Sequence, residues 1–181
     1  MDNNYLFFGL GNPGLKYQKT RHNIGQEFIL WLQNQYQASP WRREKKYFSQ
    51  VSIAEMNHRK IIFALPLVYM NETGQAISKL IKYFNIPLKN IIVCHDDNDI
   101  YVGDFKLSFN SGSAGHKGVN SLIKSLQSQN FSRLRIGIQP KETIRIKAGD
   151  LVLKKFSPQE RKMIFDAFPI MRQRIEKQFF D

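Results

Sequence analysis

The sequence predicts an α/β fold: one domain over residues 1–181, with a mixed, largely parallel twisted sheet flanked by helices. Two observations carry this. Short β-rich apolar runs recur along the chain, and most of the segments between them repeat their apolar residues with a helical period. No repeat, low-complexity stretch or linker divides the 181 residues, a length that buries a full core without staples.

The strands are expected at "YLFFGL" (5–10), "VSIAEM" (51–56), "IIFAL" (61–65), "IIVCH" (91–95), "FKLSF" (105–109) and "RLRIGI" (133–138). The second and third form a hairpin turning at Asn57-His58-Arg59. Helical stripes follow at Ile24, Phe28, Trp31, Leu32 and Tyr36, then at Ile77, Leu80, Ile81 and Phe84, and again at Val119, Leu122, Ile123 and Leu126. "SPQE" at 157–160 is a helix start, with Ser157 as N-cap, Pro158 in the first position and Glu160 closing a capping box. Pro169 is expected to kink or break that helix.

Composition sets the setting. The chain is 42% hydrophobic and 23% charged, which disfavours disorder. Cys94 is the single cysteine, so no internal disulfide forms and a reducing compartment fits. No basic-plus-apolar leader and no run of ~20 apolar residues is present; a soluble, cytoplasmic protein is expected, with no membrane partner. Lys and Arg number 27 against 15 Asp and Glu, a formal +12. That surplus suits a polyanionic partner, with simple solubility an equal alternative. Against it, "IIVCHDDNDIYVGD" (91–104) contains Asp96, Asp97, Asp99 and Asp104 and no Lys or Arg.

In open α/β sheets, ligands bind at the carboxyl ends of the strands. Three strands lead to polar groups there: Asn12, Asn71 and Asp96, with His22 on the connection leaving the same rim. A histidine beside a carboxylate is the minimum for general-base hydrolysis. No Gly-x-Ser-x-Gly elbow occurs and Cys94 sits within an apolar strand, so direct attack by water is the simpler chemistry. Asn12 and Asn71 offer amide donors that can hold a peptide or polarise an oxyanion; Asn71 could equally cap the helix after it.

Other readings are weaker. "GLGNPG" has the wrong spacing for a dinucleotide loop, and Pro13 removes a donor, so a type II turn accounts for it. "HDDND" (95–99) has metal-type donors, but neighbouring strand residues alternate faces and no further cluster completes a shell. The glycine-rich loop 110–122 carries Gly115, His116 and Lys117 at a helix start, where a phosphate or ribose could bind, or where a lid could simply move. Arg133 and Arg135 share a strand face, either as a phosphate clamp or as edge-strand charge.

In order, "GLGNPGLKYQKTRHNIGQEF", "PLVYMNETGQAI", "IIVCHDDNDIYVG", "GSAGHKGVNSLI", "FSRLRIGI" and "LVLKKFSPQE" resemble the sequence blocks of bacterial-type peptidyl-tRNA hydrolase. The resemblance spans nearly the whole chain. It implies a monomeric, cofactor-free α/β enzyme that cleaves the ester between a peptide and the 3′-terminal ribose of tRNA, engaging the acceptor stem and 3′ end. It implies His22 as base, Asp96 as its support and Asn12 beside the scissile ester. Tyr17, Tyr69 and Asn71 then contact the bound peptidyl-tRNA end, with Met70 beside them, and Lys117 stands at a 3′-end contact next to Gly115 and His116 of the substrate-binding loop. Lys117 departs from the usual asparagine, Ala114 from a glycine, and Ser108 from a basic residue for which Lys106 can substitute. A non-catalytic, splicing-factor-like RNA binder is the alternative within the same resemblance. A nucleotide-dependent oxidoreductase is disfavoured by the glycine spacing.

Overall fold

The computed structural model describes residues 4–141 and 145–180. Its seven strands are β1 (Asn4–Gly9), β2 (Arg42–Glu44), β3 (Ser49–Met56), β4 (Arg59–Pro66), β5 (Ile91–Tyr101), β6 (Phe105–Phe109) and β7 (Ser132–Gln139). They form one sheet in the order β2-β3-β4-β1-β5-β7-β6. The central four, β4, β1, β5 and β7, run parallel, and antiparallel strands close both sides. The helices are α1 (Ile24–Gln35), α2 (Thr73–Phe84), α3 (Lys117–Leu126), α4 (Ala148–Leu151) and α5 (Pro158–Phe179). Among the described residues, no helix is long and apolar enough to cross a membrane.

Strand alternation divides the core between the two faces of the sheet. Phe7, Ile92, Leu134 and Ile136 pack with α1 and α5, whereas Leu6, Phe8, Ile91 and Val93 pack with α2 and α3. The β3–β4 hairpin turns on Asn57 and His58, both at positive φ (49° and 60°), as a tight two-residue turn requires.

Two expectations are corrected and one strand is added. β2 escapes a periodicity reading because it is three charged residues long. β5 runs on to Tyr101, with its register against β7 shifting after Asp97. Its pairing with β1 nevertheless stops at Gly9 and Cys94, so Asp96 lies beyond the end of β1 and on the rim. Pro169 neither breaks nor ends α5. Its ring costs the helix one hydrogen bond, at the carbonyl four residues earlier. Pro169 and Phe165 both lie on the exposed side, while Ile164, Phe168 and Met171 stay buried around them and hold the helix to the sheet.

One close approach positions the site. A Cβ on Gly25 would lie 2.1 Å from the Cys94 carbonyl oxygen, so only glycine lets the first turn of α1 rest on β5. That contact brings the residues just before α1 up to the strand carrying Asp96. Gly25→Ala is therefore expected to cost roughly 1–3 kcal/mol through overpacking, with a Tm fall of about 2–4 °C for each kcal/mol at this chain length. Circular dichroism melts test it, and an unchanged Tm would mean that the helix can shift freely.

Candidate active site

His22 occupies a 3-10 turn, Arg21–Asn23, immediately before α1. Its Nδ1 lies 2.8 Å from Asp96 Oδ1. His116 Nε2 lies 2.9 Å from the same oxygen, and all three groups are largely buried. The loop glycines and the capping position deliver this second imidazole. Ala114 and Gly115 take positive φ, and His116 becomes the N-cap of α3. Its Nδ1 accepts the Gly118 and Val119 N–H groups at 3.1 and 3.3 Å.

These contacts fix the protons. His116 Nδ1 is an acceptor, so its Nε2 carries the hydrogen and donates to Asp96. Asp96 likewise takes the proton side of His22 Nδ1, leaving His22 Nε2 as the one ring nitrogen of the pair with a free lone pair. Burial pushes the Asp96 carboxyl up, but His116 and His22 outweigh it and hold the group far below the usual carboxylate range. His95 is separate: its Nδ1 bonds the Asp96 carbonyl at 2.7 Å, and burial drives its pKa well down. Strand alternation turns the side chains of His95 and Asp96 apart, yet His116, lying over the strand, touches both, its ring 4.8 Å from that of His95.

His22, Asp96 and His116 bring donor atoms within 4.8 Å of one another, the only such trio among the described residues. It is not the "HDDND" set, since Asp97 pairs with Arg135 and Asp99 with Arg145. The trio is a poor cation site for a chemical reason. To ligate through Nε2, His116 would have to move its proton to Nδ1 and surrender the cap of α3.

Asn12 is held on two sides. Its N–H donates to Asn23 Oδ1 and its carbonyl accepts from Asn23 Nδ2, both at 2.9 Å. Its side-chain Oδ1 accepts the Met70 N–H at 2.9 Å, which turns the amide donors outward. Asn23, missed from sequence, is thus the residue that clamps the turn; its one signal was its place directly after His22. Met70 acts through its backbone, because its side chain is buried against Gly118. Asn71 does not cap α2: the chain makes a further 3-10 turn at Met70–Glu72, and Glu72 takes the cap position. Asn71 is left exposed on the cleft wall. Tyr17 and Tyr69 meet edge-on, 6.3 Å between centroids, on the same wall.

These groups line a cleft of about 970 Å³ that also takes in Gly115 and Lys117, with Val152 and Leu153 on its far side. The expected arginine clamp is not assembled. Arg133 is 3% exposed and donates to the Gly112 carbonyl at 2.9 Å, so it braces the glycine-rich loop. Arg135 is half-buried and its Nε bonds Asp97 at 2.6 Å. Lys106, its cross-strand neighbour, is exposed.

The profile of the peptidyl-tRNA hydrolase family matches residues 6–180. This chain belongs to the peptidyl-tRNA hydrolase family. It is 38% identical over 165 residues to the peptidyl-tRNA hydrolase of Mycoplasma mycoides, covering 90% of this chain and 86% of that one. With the Aquifex aeolicus peptidyl-tRNA hydrolase it shares 40% over 160 residues, 88% of this chain and 81% of the other. A crystal structure of peptidyl-tRNA hydrolase from Acinetobacter baumannii superposes with a TM-score of 0.84 at 28% identity, over 99% of this chain and 93% of that one.

The Asp96 pairing makes a stability prediction. A folded pKa below the unfolded one contributes stability that is fully present above the unfolded value, ~3.9, and is lost as pH falls below it. Asp96→Asn should therefore flatten the fall in urea midpoint between pH 5 and 3. Parallel pH profiles for the two proteins would show that Asp96 titrates alike folded and unfolded.

Proposed function

We propose that this cleft hydrolyses peptidyl-tRNA, with His22 as general base, Asp96 as its support and Asn12 at the scissile ester. Membership of the peptidyl-tRNA hydrolase family supports the activity. The roles rest on one observation: two imidazoles share Asp96 Oδ1, and only His22 keeps a free ring nitrogen.

The chemistry then proceeds without a covalent enzyme intermediate. His22 Nε2 takes a proton from water as the water oxygen attacks the ester carbonyl. The carbonyl oxygen becomes an oxyanion, to which the outward amide of Asn12 can donate. Asp96 stays ionised and stabilises the imidazolium. Collapse of the tetrahedral intermediate breaks the bond to the ribose oxygen, which takes the proton back from His22. The products are a tRNA with a free terminal hydroxyl and a peptide carboxylic acid, which gives its remaining proton to solvent to become the carboxylate.

We assign the peptide end to the wall of Tyr17, Tyr69 and Asn71, and the tRNA acceptor end to the side of Lys117, Lys106 and Arg135. The +12 surplus then draws in the phosphates. A cytoplasmic monomer is consistent with this reading. A binder with no catalytic role would have no need of the proton arrangement at His22.

His22→Ala should still fold, with a lower Tm because buried Asp96 loses one of its two donors, and lose at least ~10² in kcat on N-acetyl-aminoacyl-tRNA below that Tm; cleavage at the parental rate would make His22 structural only. Lys117 is exposed at the first position of α3 and lines the cleft. Lys117→Ala is expected to raise KM with kcat nearly unchanged, as loss of uniform binding does. Lys117→Asn should stay active with a weaker salt dependence. Steady-state kinetics at two ionic strengths decide it: a fall in kcat at constant KM would place Lys117 in the transition state instead.

A further inference from the structure

A 3-10 turn of three residues has little stability of its own, yet the turn at Arg21–Asn23 must hold the His22 ring 2.8 Å from Asp96. The residue just before the base is the one anchored most strongly. Arg21 is 5% exposed. Its Nη1 donates to the Ile138 carbonyl at 2.8 Å, and its Nη2 reaches both oxygens of Glu160 at 2.9 and 2.8 Å. The guanidinium also lies over the Phe156 ring, 4.6 Å from its centroid.

Each anchor is itself fixed. Ile138 belongs to β7, two residues beyond Ile136, the direct partner of Asp96 on β5. Glu160 closes the capping box of α5: its Oε2 accepts the Ser157 N–H at 2.7 Å, and Ser157 Oγ accepts the Glu160 N–H at 3.3 Å. Burial pushes the Glu160 carboxyl up, but the Ser157 N–H and Arg21 outweigh it and keep it ionised at neutral pH. The backbone follows the same line, with Arg21 N–H on the Lys154 carbonyl at 2.9 Å and His22 N–H on that of Val152 at 2.8 Å.

We infer that Arg21 and Glu160 are a positioning pair for His22, through which β7 and the start of α5 set the imidazole against Asp96. Both members of the base–carboxylate pair are thereby referenced to the same two adjacent strands. Arg21 and Glu160 do not line the cleft, so they act on the base and not on substrate. The inference rests on the reading of His22 as the base.

A neighbouring ion pair supplies the control. Arg161, the next residue on α5, pairs with Glu27 of α1 at 2.9 Å, and both side chains bond to each other rather than to the side chains of the turn. Glu160→Gln and Glu27→Gln should each lower Tm by a few degrees, as loss of a partly buried pair does. Only Glu160→Gln is expected to lower kcat, by about tenfold to a hundredfold, with KM within about twofold of the parent. Its acid limb in the pH profile of kcat should move to lower pH, because a looser Asp96 contact stabilises the imidazolium less. Arg21→Lys keeps the charge but loses the two-pronged geometry and should shift both readouts the same way; it decides the matter if Glu160→Gln does not fold. Kinetics on N-acetyl-aminoacyl-tRNA from pH 5 to 9, well below each Tm, make the comparison. If the Glu160 and Arg21 variants match Glu27→Gln in kcat and pH profile, the pair is structural and the inference is wrong. If His22→Ala retains the parental rate, the base assignment itself has failed, whatever the other variants do.

Discussion

Asp96 Oδ1 accepts from two imidazoles at once, and much of the architecture serves to make that possible. A carboxylate this deeply buried is tolerated only when hydrogen-bond donors replace its water. The donors come from elements distant in sequence: His22 precedes α1, and His116 begins α3 on the other side of the sheet. Three constraints follow. α1 must touch β5, which Gly25 allows; α3 must start over the strand end, which the loop before it allows; and β1 must stop short of Asp96.

The two imidazoles are chemically unequal although they share one oxygen. His116 spends its second nitrogen on the backbone of α3, which makes it a fixed donor. His22 spends nothing on its second nitrogen, so the same carboxylate that needs two donors leaves one ring able to take a proton. The distinction depends on helix capping, a local backbone requirement. Structure and reactivity are coupled there through a single tautomer.

Charge is arranged on the same principle. Near the cleft the acidic segment is answered by arginines, Asp97 by Arg135 and Asp99 by Arg145, and Arg133 is turned inward to the glycine-rich loop. These planar, multidentate cations hold geometry. Lysines such as Lys106 and Lys117 remain exposed, their flexible charges turned to solvent.

The sequence by itself determined the local features. Apolar periods located most strands and the main helices, "SPQE" marked the start of α5, and the chain pattern carried the family resemblance together with His22, Asp96 and Asn12. These are short-range properties, set by residue type and spacing. Tertiary structure decided what depends on the company a side chain keeps. Arg133 and Arg135 share a strand face as alternation requires, but burial under a loop and an ion pair to Asp97 settled what they do. Pro169 carries a helix-breaking ring, yet packing on both sides held α5 continuous. Asn71 stood where a cap belonged, until an extra 3-10 turn moved the cap to Glu72. Asn23, His116 and Arg21 acquired their places through hydrogen bonds to other segments, from the turn after β1 for Asn23 to β7 and α5 for Arg21. Spacing along a sequence cannot specify such bonds, because each exists only once two separate elements have packed.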